Sequence, residues 1–121
     1  MDVYKGIEFH NWVYKYDISD KVLLQAVEEM NNGAYDANLG GGVYKKRIPL
    51  KNKGKSGGAR AILAFKLNER AFFIYGFAKN KQDNINEKEL KALKKLAKVY
   101  LQATNETLIK AITHGNLIKV K

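Results

Sequence analysis

An α+β fold is predicted for this chain: a small antiparallel β-sheet with N-terminal helices on one face and further helices at the C-terminal end. Three observations predict it. Two adjacent runs, "ARAILAFKL" and "RAFFIYGFA", are rich in branched and aromatic residues and read as paired strands. Two longer stretches, 19–33 and 86–103, carry apolar residues at helical spacing behind capping residues. No repeat, linker or low-complexity segment interrupts the 121 residues, so they read as one domain, 1–121.

The elements follow in order. "EFHNWVYKY" is ambiguous between a strand and a short helix. "SDKVLLQAVEEMNNG" reads as a helix that Ser19 caps, with Asp20 complementing the dipole in the first turn. Ile18 and Leu23 stand where a hydrophobic staple has its two residues. Leu23, Val27 and Met30 share one face, and Gly33 suits the stop. "GGGVYKKRIPL" gives a glycine-rich turn and a strand, with Val43, Lys45 and Arg47 on one side and Tyr44, Lys46 and Ile48 on the other. The two apolar runs form a hairpin around Asn68 and Glu69 and, apolar on both faces, belong in the sheet centre. In "NEKELKALKKLAKVYLQA", Asn86 and Glu89 have capping-box spacing. Leu90, Leu93, Ala97 and Tyr100 make its buried stripe, and Lys88, Lys91, Lys95 and Lys98 a solvated face. A short helix, "NETLIKAITHG", and the apolar "NLIKV" end the sequence.

Composition narrows the chemistry. There is no cysteine, which excludes disulfides and thiolate zinc sites. His10 and His114 have no metal-ligand spacing, no carboxylate pair stands out, and no metal or cofactor is expected. No run approaches the roughly 18 apolar residues of a membrane span, and the N-terminus lacks a signal-peptide core, so the cytoplasm is the expected location. Lys and Arg total 22 against 12 acids, a formal charge of +10, which favours a polyanionic partner.

That charge is concentrated. Residues 44–60 hold seven basic residues (Lys45, Lys46, Arg47, Lys51, Lys53, Lys55 and Arg60) and no acid. The "GKS" within them is not a P-loop. The position five before Gly54 is Pro49, which has no N–H to offer a phosphate, and "GGARAILAF" suits a strand where a P-loop needs a helix. Lys51 and Lys53 share a face if the stretch is extended, Arg60 opens the next strand, and Gly57 and Gly58 allow a sharp turn and a close phosphate. A solvated basic loop and a nucleic-acid contact fit this pattern equally. Trp12, Tyr14 and Tyr16 read as core rather than a base-stacking platform.

The blocks "GGGVYKKRI", "KGKSGGAR", "AFFIYGFAKN" with "DNI", and "ELKALKKLA", in this order and spacing, resemble the HigB-like branch of the RelE/ParE toxin superfamily. The resemblance spans nearly the whole chain and implies a RelE-like toxin domain of a type II toxin–antitoxin pair. RelE-type members cut mRNA in the ribosomal A site, and ParE-type members act on gyrase. The implied partners are a cognate antitoxin of helix-turn-helix type and mRNA on the ribosome. The basic residues that contact the scissile phosphate in RelE-type toxins match Lys51, Lys53 and Arg60, with Lys55 close by, and then Lys79 or Lys81 with Asn80 beside them. Lys45, Lys46 and Arg47 join the implied RNA-binding surface. Many RelE-type toxins carry a tyrosine a few residues further on, but "QDNINE" has none. The expected activity is endoribonucleolytic: the substrate 2′-OH attacks the adjacent phosphate, Lys51 or Lys53 takes the proton, and Arg60 and Lys79 stabilise the phosphorane. The alternatives are a toxin that inhibits a protein such as gyrase, and a basic nucleic-acid-binding module.

Overall fold

Strands apolar on both faces must be covered on both faces, and the sheet is built around that requirement. The computed structural model describes residues 1–51, 54–79, 81, 82 and 84–121, with 54–57 described by backbone alone. In chain order the elements are β1 (Asp2–Gly6), α1 (Ile7–Lys15), α2 (Asp20–Asn31), β2 (Ala37–Gly40), β3 (Val43–Leu50), β4 (Gly54–Lys66), β5 (Arg70–Ala78), α3 (Glu87–Leu101), α4 (Asn105–Thr113) and β6 (Leu117–Lys119). The strand order is β2-β3-β4-β5-β1-β6, which puts the two apolar strands β4 and β5 in the middle.

Each face has its own core. Phe9 and Val13 of α1 and Leu23, Ala26, Val27 and Met30 of α2 pack with Ile48, Ala61, Leu63 and Phe73. Ala97 of α3 and Leu108 of α4 pack on the other face with Val43, Ile62, Phe72 and Phe77. The N-terminal helices therefore cover one face and the C-terminal helices the other. No helix among the described residues is long and apolar enough to cross a membrane.

The local signals in the sequence operate as expected. Ser19 Oγ accepts the Val22 N–H at the start of α2, a cap that contributes about 1 kcal/mol. Ile18 and Leu23 are both buried in the same core, as a staple requires. Asn86 and Glu89 close a reciprocal capping box on α3. Gly40, Gly41 and Gly42 all have positive φ and carry the β2–β3 turn. The ambiguous stretch is helical: α1 buries Phe9 and Val13 and lays Trp12 against the sheet. A Cβ on Gly76 would come within 2.5 Å of the Trp12 ring, so that glycine is what admits the indole. Trp12 is thus largely structural, whereas Tyr14 is 85% exposed.

Three features differ from the sequence reading. The sheet is mixed, because β1 runs parallel to β5, with Val3 opposite Ala71. β1 gave little periodic signal: five residues with Val3 and Tyr4 as its apolar pair. The stretch around Gly57 and Gly58 is not a turn between strands but part of β4, which already starts at Gly54. Arg60 therefore lies in the middle of a 13-residue strand rather than at its start.

Candidate functional site

The end of the sheet where β3 passes into β4 has an overhang. Leu50 pairs with Gly54, but β5 ends at Ala78, opposite Ala59. Beyond that point the Lys79 N–H donates to the Gly58 carbonyl, and the chain turns away through Lys81 N–H and Gln82 N–H, both donating to the Ala78 carbonyl. The tip of the β3–β4 hairpin thus projects past β5 as an arm, and the chain leaving β5 passes its base.

Register decides which cations meet. Arg60 pairs with Phe77 on one side and with Arg47 on the other. Phe77 belongs to the core under α3 and α4, so Arg60 lies on that side of the sheet. Alternation from Phe77 brings Lys79 to the same side, diagonal to Arg60, a spacing of about 7–8 Å between Cα atoms. Two arginines directly opposite one another repel unless an acid intervenes. Asp36, just before β2, is that acid. Arg47 Nε donates to its Oδ2 at 3.1 Å, and Arg60 Nε lies 3.2 Å from the same oxygen. Arg60 Nη1 also donates to the Ala59 carbonyl, and the residue is only 7% exposed. From the sequence Arg60 opens a strand and is either a phosphate clamp or a brace paired with a carboxylate such as Asp36 or Glu69; burial and the Asp36 contact give it the bracing role besides any contact with phosphate.

The other basic residues of 44–60 divide. Lys46 is turned inward under α2, where its Nζ lies 2.7 Å from Glu29 Oε1, and it is 4% exposed. This corrects its assignment to an RNA-binding surface: its ammonium is turned from solvent to a half-buried carboxylate on α2. Lys45 is half-buried on β3, opposite Ile62. Lys51 is exposed and points to the α1–α2 connection, with its Nζ 3.5 Å from Asp17 Oδ2. It is four residues beyond Arg47 on β3, roughly 13 Å along the strand, so it is not gathered with Arg60 in this arrangement. Lys79 and Lys81 are exposed, and neither pairs with a carboxylate among the described residues. Lys53 and Asn80 lie outside the described residues, as does the side chain of Lys55.

Tyr75, a strand aromatic that reads from the sequence as core and lies near the place of the missing downstream tyrosine, also stands here. Tyr75, two positions before Phe77 and opposite Ile62, is half-buried, and its hydroxyl reaches Glu89 Oε2 at 3.0 Å and Gln82 Oε1 at 3.2 Å. Burial, then the hydrogen bond and charge of Glu89, push its ionisation above the usual phenol range. The neutral phenol is therefore a lasting donor. The signal available in the sequence was the i, i+2 series Tyr75, Phe77, Lys79 on one strand face.

Chemically, Arg47 and Arg60 share one carboxylate at this sheet end, and strand alternation brings Lys79 to the Arg60 side of it, a local cation excess. Such a surface receives a phosphodiester and stabilises added charge on it. A family model described as the RelE toxin of the RelE/RelB toxin–antitoxin system matches residues 1–120. No curated protein matches the chain.

Proposed function

The chain belongs to the RelE toxin family and is a toxin of a toxin–antitoxin system, and from that premise we propose that it is a ribosome-dependent mRNA endonuclease of the HigB-like branch. The observation that carries the reading is the pairing of Arg60 with Arg47 over one shared acid, next to the point where the Lys79 N–H bonds to the Gly58 carbonyl. The substrate 2′-OH attacks the adjacent phosphate and the bond from phosphorus to the 5′ oxygen breaks; Lys53, or Lys51 once it leaves Asp17, takes the 2′ proton, and water gives a proton to the departing 5′ oxygen. Lys79 and the Nη2 edge of Arg60, the part turned neither to Asp36 nor to the Ala59 carbonyl, take up the charge of the phosphorane. Lys45, Arg47, Lys55, Asn80 and Lys81 flank the RNA path. The partners are mRNA on the ribosome and a cognate antitoxin of helix-turn-helix type, and the site of action is the cytoplasm. An acidic antitoxin segment covers the free cations, with an association rate that falls as salt rises.

The test is cleavage of mRNA on programmed ribosomes by the purified chain. The expected products carry a 2′,3′-cyclic phosphate and a 5′-OH, and free mRNA is cut far more slowly. Intact mRNA, together with inhibited DNA supercoiling by gyrase, overturns the reading in favour of a protein-directed toxin.

A further inference from the structure

The segment after Lys79 contains the "QDNINE" stretch, and its hydrogen bonds are unusually concentrated. Gln82 Oε1 meets the Tyr75 hydroxyl, and Gln82 Nε2 donates to the Asn84 carbonyl at 2.8 Å and to Glu89 Oε1 at 3.5 Å. Glu89 is doubly engaged. Its Oε1 accepts the Asn86 N–H at 3.0 Å in the capping box, and its Oε2 faces the Tyr75 hydroxyl. The capping box fixes the Glu89 side chain, so the acceptor awaiting Tyr75 is oriented by the start of α3. Backbone bonds from Lys81 and Gln82 to the Ala78 carbonyl anchor this turn to the end of β5. Three parts of the molecule thereby meet at one phenol, whose single proton is shared between Glu89 Oε2 and Gln82 Oε1: the strand that leads to Lys79, the segment that follows it, and the helix beyond.

We propose that Tyr75, Gln82 and Glu89 form a positioning clamp that holds Lys79 against the phosphate-binding side of β4, beside Arg60. The proposal rests on the endonuclease reading for what Lys79 does, and on geometry alone for the clamp. Tyr75 does not touch the substrate; it acts through Lys79. A lysine on a flexible stem is a weak electrostatic catalyst unless the backbone that carries it is fixed, because misplacement by about 1 Å can cost on the order of 100-fold in rate. A phenol is already protonated at neutral pH, and the raised ionisation of Tyr75 moves loss of that proton further away.

Tyr75→Phe keeps the ring against the α3-side core and removes the hydroxyl. Two measurements test the clamp. The first is amide hydrogen exchange at Lys81 and Gln82, expected to speed by about tenfold or more in Tyr75→Phe and in Gln82→Ala; unchanged exchange overturns the clamp. The second is single-turnover cleavage on programmed ribosomes, with parent, Tyr75→Phe, Lys79→Ala and the double variant compared. Tyr75→Phe is expected to slow cleavage by on the order of 10- to 100-fold with ribosome affinity within about twofold, and to add nothing in the Lys79→Ala background. Equal losses in both backgrounds show that Tyr75 does not act through Lys79 and overturn the proposal. A parent that never cleaves overturns the endonuclease reading instead, and the exchange experiment then decides the clamp by itself.

Discussion

The β3–β4 arm and the segment leaving β5 are both basic in sequence, yet they differ in what their cations are free to do. On the arm, Lys46 pairs with Glu29, Arg47 and Arg60 share Asp36, and Lys51 meets Asp17. Each of those acids comes from a part of the chain distant in sequence, so the acid-free stretch 44–60 is not acid-free in space. Lys79 and Lys81, only two basic residues in a short segment, are exposed and unpaired with acids among the described residues. A count of charge along the chain ranks the arm first; the free positive charge ranks the second segment alongside it. Net charge attracts RNA to the whole surface, but only cations without internal partners can exchange water for phosphate at low cost.

The sharpest break in that comparison comes from two alanine substitutions. Lys79→Ala is expected to lower the cleavage rate by about 100- to 1,000-fold, the loss typical of one transition-state donor, and to leave the melting temperature unchanged. Arg60→Ala is expected to lose cleavage and stability together, by about 2 kcal/mol, because its Asp36 contact and its hydrogen bond to the Ala59 carbonyl are buried. If Arg60→Ala melts with the parent, the bracing role fails. If Lys79→Ala cuts at the parental rate, the free-cation argument fails.

Lys46→Ala probes the arm's buried side. Removing the ammonium takes one partner from Glu29, which is 23% exposed and also accepts from Gln25 Nε2 at 3.4 Å, so the loss is expected to stay below that of a fully buried pair, at about 1–2 kcal/mol. Urea unfolding measures it; cleavage by the folded fraction is expected to be parental. A variant that keeps full stability but binds ribosomes weakly returns Lys46 to the RNA surface.

A partly buried pair elsewhere gives a pH-dependent version of the same contrast. Lys5 Nζ lies 3.0 Å from Asp20 Oδ1. Burial alone pushes the Asp20 carboxyl up, but the Lys121 N–H and the Lys5 ammonium outweigh it, and the net shift is below the usual carboxylate range. The folded value is lower than the unfolded one, so the stabilisation is complete above the unfolded value near 3.8 and is lost as pH falls through the folded value. Acid unfolding of Asp20→Asn is expected to show a shallower loss of stability below about pH 4 than the parent. Superimposable acid-unfolding curves exclude the linkage.

What the sequence made legible was local. Ser19, Asn86, Gly33 and the continuous apolar runs of β4 and β5 act over a few residues, so their signals survive in one dimension. β1 was hidden because it is short and pairs in parallel with a strand far along the chain. In the site, the residue types were readable, and of the partners only Asp36 was, as one of two acids that Arg60 could meet. That Asp36 lies between Arg47 and Arg60, or that Glu89 both caps α3 and receives Tyr75, depends on register and on helix placement. Burial of Lys46 follows from its alternation with Ile48, a signal present in the sequence but outweighed by the surrounding charge.

The smallest expected effect belongs to the exposed pair on the arm. Lys51 and Asp17 have side chains 76% and 81% exposed, and their 3.5 Å separation is loose, so the pair contributes at most a few tenths of a kcal/mol to stability. Asp17 has φ 54°, a left-handed conformation that Asn adopts nearly as readily, so Asp17→Asn changes charge without straining the turn. Its melting temperature should match the parent's. Its ribosome affinity should rise by about twofold at low salt, equivalent to about 0.4 kcal/mol, as Lys51 is released toward RNA. The gain should vanish at high salt, where exposed charges are screened. Ribosome affinity measured across a salt series reads both limits. An affinity that does not rise at low salt means that Lys51 lies away from the RNA path, and the base then has to come from elsewhere on the arm. A rise that persists at high salt means that Asp17 excludes the substrate by contact rather than by charge.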